Sequence, residues 1–211
     1  MITVVISSYK YGHLAAHCVE SILSQSKQPE KILFVDDAVG DCRHIKNLYP
    51  EVQFFENETN KGTVQNFQDM LSRVDTEYCM FIGADNWLRS DSLSMFSTVI
   101  ELDKPDIITY DVMITGELKG KRILDSKHKT ETWSFQGDYF WTRENAHHGS
   151  MLYRTSLAKS VGGYTKHNRD PAYTEEDLSL WNKMIAAGAK VCHVKHPLLY
   201  YRHHRNNYNK Y

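Results

Sequence analysis

Residues 81–93 read FIGADNWLRSDSL. An apolar run that begins near Glu77 stops at Gly83, and Asp85, Asn86 and Trp87 follow. Ser90 then stands as an N-cap before Leu93, Phe96, Val99 and Ile100, which recur at helical spacing. A buried strand that runs into a carboxylate and an amide, and then into a helix, is half of a strand–helix–strand unit. The same unit repeats upstream. ITVVISS (2–8), KILFVDD (31–37) and VQFFEN (52–57), like EYCMFIG (77–83), are short runs rich in Val, Ile, Phe and Tyr, each expected to be a strand buried on both faces. Between them, Leu14, Cys18 and Ile22 with Ala15, Val19 and Leu23 predict one helix, and Val64, Phe67, Met70, Leu71 and Val74 predict another. Alternating strands and helices imply an α/β fold built on a mostly parallel sheet with right-handed crossovers.

The second half is less regular. DIITYDVMI (106–114) predicts a strand, and residues 115–143, with Trp133 and Trp141, read as a long polar excursion over one sheet edge. GSMLYR (149–154) predicts a strand, 155–161 a short helix, and 174–187 a helix capped by Thr174. KVCHV and LLYYRH read as further strands.

Length and composition bound the possibilities. A chain of 211 residues, 41% hydrophobic and 24% charged, suits one globular domain over 1–211. With 25 basic against 26 acidic residues there is no global field for nucleic acid or an anionic membrane, so an anionic ligand must be held locally. The four cysteines lack zinc or disulfide-framework spacing, which fits reduced thiols in a soluble, cytoplasmic protein. No run approaches the roughly 20 apolar residues of a membrane span.

Polar residues gather where the predicted strands end: Ser7, Ser8 and Tyr9; Asp36 and Asp37; Asn60, Lys61 and Gly62; Asp85 and Asn86. In an open parallel sheet these ends share one edge, where ligands bind. No GxGxxG and no GxxxxGK[ST] is present, which argues against a dinucleotide or P-loop enzyme. A diphosphate bound without such a cradle needs a cation, and Asp85 and Asn86 offer the oxygen ligands that Mg2+ or Mn2+ prefers.

In order and spacing, VVISSYKYGHLAAHCVESILSQS, KILFVDD, NKGTVQNFQDMLS, YCMFIGADNWLRSDSL and TEEDLSLWNKM resemble the inverting GT-A glycosyltransferases of family 2. The resemblance covers essentially the whole chain and implies a GT-A fold, with a nucleotide-binding half over about 1–104 and a smaller mixed acceptor half over about 105–211. It implies transfer of a hexose or deoxyhexose from a UDP-sugar to a hydroxyl of a glycan acceptor, with Mn2+ or Mg2+ as cofactor and further domains in a longer parent chain as an open expectation. It also implies the site residues. Ser7 and Tyr9 line the nucleotide pocket, Asp37 accepts from the uracil, and Asp36 supports the loop. Asp85 faces the ribose or metal, Asn86 stands at the metal-ligand position, and His204 reaches the metal or diphosphate. Asp177 is the general base, while Gly149, Glu176 and Trp181 shape the sugar and acceptor pocket.

One departure bears on the chemistry. Family members often carry Asp-x-Asp-Asp-Trp where this chain has Gly83, Ala84, Asp85, Asn86 and Trp87, and losing two carboxylates should weaken metal binding. Plainer readings stand beside these roles. Asp85-Asn86 can form an Asx turn, and Thr174-x-x-Asp177 resembles a capping box. Most of the eleven histidines, His147, His148, His193 and His196 among them, fit surface or hydrogen-bonded positions. The rival functions are a nucleotidyltransferase of similar fold and a non-catalytic sugar- or nucleotide-binding domain.

Overall fold

The computed structural model describes residues 1–116, 120–123, 130–133, 139–141, 149–165 and 176–204. The elements run β1 (Ile2–Ser8), α1 (Gly12–Leu23), β2 (Lys31–Asp36), α2 (Arg43–Leu48), β3 (Val52–Glu56), α3 (Gly62–Arg73), β4 (Tyr78–Gly83), β5 (Trp87–Leu88) and α4 (Ser92–Asp103). There follow β6 (Ile107–Gly116), β7 (Gly120–Ile123), β8 (Thr130–Trp133), β9 (Tyr139–Trp141), β10 (Leu152–Arg154), α5 (Thr155–Ser160), α6 (Glu176–Ala186) and β11 (Val191–His203). The main sheet has the order β3-β2-β1-β4-β10-β6-β11-β5, with β9 also paired to β6.

Strands β1, β2, β3 and β4 are mutually parallel, and β10 is antiparallel to both β4 and β6. Because β11 is in turn parallel to β6, six strands point their carboxyl ends at the same edge. Residues alternate across the sheet with the period of two that a pleat imposes. Ile2, Val4 and Ile6 of β1 join one core with Ala15, Val19, Ile22 and Phe96, while Val5 joins the other with Met70, Leu71, Leu180 and Met184. This double burial explains why β1, β2 and β4 are continuous apolar runs.

β3 departs from the expectation of burial on both faces. It is the last strand of the sheet, and Gln53 and Glu56 are exposed. The helix after β5 begins one residue later than Ser90 would dictate: Asp91 is its N-cap without a side-chain bond, and Ser92 Oγ donates to the carbonyl of Leu198. The excursion contains the β7–β8 hairpin and β9, so part of it is sheet. The two predicted C-terminal strands are one, kept continuous through register shifts around Pro197. Thr174, His147 and His148 lie outside the described residues, as do the side chains of Trp133 and Trp141.

His193 and Asp111 form a buried polar pair between β11 and β6. His193 Nε2 lies 3.0 Å from Asp111 Oδ1, and its Nδ1 lies 2.9 Å from Thr109 Oγ1. A neutral imidazole that donates to the carboxylate and accepts from the hydroxyl satisfies all three groups. Asp111→Ala strands the imidazole donor and is expected to destabilise the fold by about 1–3 kcal/mol. Urea denaturation reads this as a lower midpoint at unchanged slope; an unchanged midpoint would mean that the pair contributes nothing.

Candidate active site

The carboxyl edge of the sheet is organised before any ligand arrives. At the end of β2, the two adjacent aspartates turn opposite ways. Asp36 is fully buried and accepts from the backbone N–H groups of Val39 (3.0 Å) and Cys42 (3.2 Å), holding the loop that leads to α2. Asp37 accepts from Asn57 Nδ2 (2.8 Å) and from the N–H groups of Lys61 (3.0 Å) and Gly62 (3.1 Å), so it anchors the start of α3. A carboxylate has about four acceptor positions, so a base N–H can still be accepted. Asn57 Nδ2 also donates to Asn66 Oδ1 (3.1 Å), and Asn66 Nδ2 donates to Ser7 Oγ (3.0 Å). Ser7 and Asp37, on neighbouring strands, thus become the ends of one rigid polar chain. Tyr9 is 44% exposed at the rim, with the Lys10 ammonium 4.8 Å from its ring centre.

Backbone strain gathers at the same edge. Lys10 and Ala38, just past β1 and β2, hold φ of +66° and +69°. Non-glycine residues in this region cost on the order of 1 kcal/mol or more each, and such costs persist where neighbouring contacts impose them. For Ala38 the Asp36 carboxylate supplies such a contact by accepting the N–H of Val39.

The corner after β4 explains its own sequence. Asn86 N–H donates to the Gly83 carbonyl (3.0 Å), closing a turn. A methyl built on Gly83 would lie 2.5 Å from Asp85 Oδ1 and 3.2 Å from Asn86 Nδ2, so both side chains fold over the space that glycine leaves. Asp85 Oδ2 is 3.1 Å from His204 Nε2, and the His204 ring meets Tyr11 edge-on at 5.4 Å. Asn86 Oδ1 accepts the backbone N–H of Arg202 (2.9 Å), while Arg202 Nε donates to the Asp85 carbonyl (2.9 Å). The corner is therefore laced to the end of β11. Cys18 lies behind it, with Sγ 3.8 Å from the Gly83 carbonyl; burial, and then the Asp85 charge, push its thiol pKa far up and make it unreactive.

Asp177 reaches the same edge from α6. A methyl on Gly149 would sit 3.3 Å from Asp177 Oδ2, so the carboxylate rests against the bare glycine backbone. Leu152 pairs with Met80 in antiparallel register. Continuing that register brings Gly149 level with Gly83, where β4 gives way to the Asp85 corner. Trp181, one turn further along α6, packs against the core formed with Met184 and Tyr153. Glu176 begins α6, and its side chain lies outside the described residues.

Asp85 Oδ2 and His204 Nε2 are spaced as neighbouring ligands of one octahedral ion would be, about 3 Å for bonds near 2.1 Å. Asn86 Oδ1 retains one lone pair beyond its bond to Arg202. These oxygen and nitrogen atoms are of the kinds that fit a divalent cation. Asp36, Asp41 and Cys42 also bring ligand atoms within 4.8 Å of one another. Their atoms already serve the fold: Asp41 Oδ2 accepts from Gly12 N–H at 3.0 Å, and Cys42 Sγ donates to Ser8 Oγ at 3.1 Å.

The sequence pattern of glycosyl transferase family 2 matches residues 3–162. The chain belongs to glycosyl transferase family 2. It is similar to EpsE of Bacillus subtilis, at 23% identity over 93% of this chain and 71% of that protein. It also resembles the teichoic acid poly(glycerol phosphate) polymerase of Staphylococcus epidermidis, at 26% identity over 45% of this chain and 14% of that one. Crystal structures of S. aureus TarS 1-349 share the fold. The complex with UDP-GlcNAc superposes with a TM-score of 0.74 at 14% identity, over 98% of this chain and 59% of TarS 1-349. The chain thus has the GT-A fold, on about three-fifths of the length of that neighbour. No helix among the described residues is long and apolar enough to cross a membrane.

Arg202 and Asn66 entered the site without being singled out in the sequence, whereas Trp87 stood in the opening stretch beside Asp85 and Asn86. Gly83→Ala should force Asp85 out of its seat and destabilise the protein by about 1–3 kcal/mol. Gly149→Ala, with 3.3 Å of clearance, should cost less. Thermal unfolding of both variants checks this order, and equal midpoints would refute the packing account of the corner.

Proposed function

We propose that this family 2 domain moves a hexose or deoxyhexose from a UDP-sugar to a hydroxyl of a glycan acceptor, inverting the anomeric centre with the help of a divalent cation. The observation that supports the reading is the contact of Asp177 with Gly149, a glycine that continues the β10 register to the level of the end of β4, where the Asp85 corner begins. In-line displacement needs this division, with a base on the acceptor side and charge stabilisation on the diphosphate side.

Ser7, Tyr9 and Asp37 hold the uridine, Asp37 with its remaining acceptor position. Asp85 and His204, with Asn86 beside them, would hold a divalent cation, which would supply neutralisation of the charge on the departing diphosphate. Asp177 takes the proton from the acceptor hydroxyl as its oxygen bonds to C1 and the bond from C1 to the diphosphate oxygen breaks; UDP leaves. Asp177 Oδ1 accepts from the Leu178 N–H at 2.8 Å, which orients the carboxylate at the start of α6. Gly149, Glu176 and Trp181 border the sugar and acceptor.

A second reading has its own observation. Gly83 and Asn86 replace two carboxylates of the family pattern, and Asn86 already accepts from Arg202, which suits a domain that binds a nucleotide-sugar without turning it over. Release of UDP from UDP-sugars supplied with glycan acceptors separates the two. Asp177→Asn is expected to lower the rate at least about 100-fold, the usual scale of general-base loss, while leaving the Kd for UDP within about twofold. Full activity in Asp177→Asn would remove it as the base, and a wild-type protein that binds UDP yet releases none from any UDP-sugar would favour the binding domain.

A further inference from the structure

Arg202 reaches away from the core of the site as well as into it. Its Nε donates to the Asp85 carbonyl, and its Nη2 lies 2.9 Å from Nδ1 of His17 on α1. The guanidinium carbon stands 4.6 Å from the Trp87 ring centre. Trp87 stacks on Tyr200 at 5.1 Å with 5° between planes, and the His17 ring meets Trp87 at 4.6 Å and 32°. Arginine has donors only, so the short contact with His17 requires Nδ1 to be an unprotonated acceptor and places the imidazole hydrogen on Nε2. His17 is exposed on α1; partial desolvation first, and the Arg202 charge second, hold its pKa below its ordinary value against the opposing charge of Glu20 on the same helix.

We propose that His17 is a positioning residue for the diphosphate edge: by accepting from Arg202 it fixes the guanidinium that grips the Asp85 carbonyl, and so holds the Asp85–Asn86 corner in register with His204. Its functional consequence rests on the transferase reading given above. The linkage is physical at every step. His17 sits on α1, Trp87 and the corner follow β4, and Arg202 sits on β11, so the imidazole adds a polar link among three elements that also meet through Ser21 with Leu88 and Cys18 with Gly83. Without the acceptor, Arg202 keeps its backbone bond to Asn86 Oδ1, its Nε bond to the Asp85 carbonyl and its place over Trp87, but loses one of the points that orient its guanidinium. The corner then gains freedom on the side where the cation binds, and the nucleoside floor of Ser7, Asn66, Asn57 and Asp37 is untouched.

Two substitutions separate this bond from ring packing. His17→Ala removes both the acceptor and the ring. His17→Asn removes the ring but puts Oδ1 where Nδ1 was, equally far from Cβ in bonds. The full chain is examined by nitrogen-15 NMR and by UDP titration, with Mn2+ and with chelator. His17 is expected to show the Nε2–H tautomer, and the Arg202 Nε–H signal is expected to shift in His17→Ala and return towards the wild-type position in His17→Asn. The Mn2+-dependent gain in UDP affinity is expected to fall about three- to tenfold in His17→Ala and to stay within about twofold in His17→Asn, with affinity in chelator unchanged in both. A protonated Nδ1, or an Arg202 signal indifferent to His17→Ala, overturns the coupling. Equal losses in Ala and Asn variants assign the effect to ring packing and also overturn it. A wild-type protein whose UDP binding ignores Mn2+ contradicts the transferase reading instead, and the NMR arm then decides the His17–Arg202 coupling by itself.

Discussion

The seam between the end of β11 and the corner after β4 is the constraint on which the site depends. β11 lies on the far side of β10 and β6 from β4, yet its last residues return to the β4 edge, where Arg202 bonds Asn86 and the Asp85 carbonyl and His204 meets the Asp85 carboxylate. The return is possible because β11 stays parallel to β6 over its whole length and bends through the register shifts near Pro197. It also pairs antiparallel with the two-residue β5, Tyr200 against Trp87 and Leu199 against Leu88. A strand from the last part of the chain thereby meets the corner that follows β4.

The departures from the family's carboxylate pattern belong to this seam. Gly83 removes a side chain from the space that Asp85 and Asn86 then occupy. An aspartate at position 86 could accept from Arg202 as the asparagine does, but it would add a negative charge beside Asp85 in a corner where both residues are 6% exposed. The amide accepts the same backbone hydrogen without that repulsion, which has little water to screen it. The corner thus keeps its shape with fewer charges.

How much of this could be read from the sequence varies with the range of the interaction. The strands β1, β2 and β4 and the helices α1 and α3 were legible because double-sided burial and helical spacing leave local patterns, and Ile6, Val19 and Met70 are buried as those patterns require. The edge position of β3 was not legible, since an apolar run of five or six residues does not say which neighbours it will have. Ser90 is not the cap of α4, whose N-cap is Asp91, and the Ser92 hydroxyl is taken by a distant partner, the Leu198 carbonyl, that no local pattern shows. Asp36 and Asp37 were visible as a pair, but their opposite orientations depend on Cys42 in one direction and Asn57 in the other. Arg202 and His17 stand 185 positions apart, and no periodicity connects them.

The central claim is that the edge formed by Ser7, Asp37, Asp85 and His204 binds a uridine diphosphate together with a cation. Thermal unfolding in the presence of UDP, GDP, dTDP or CMP, each with Mn2+ and with chelator, tests it most directly, because a ligand selective for the native state raises the midpoint. The account predicts a rise with UDP that is larger in Mn2+ than in chelator and larger than with the other nucleotides. No rise with any nucleotide in either condition would contradict it.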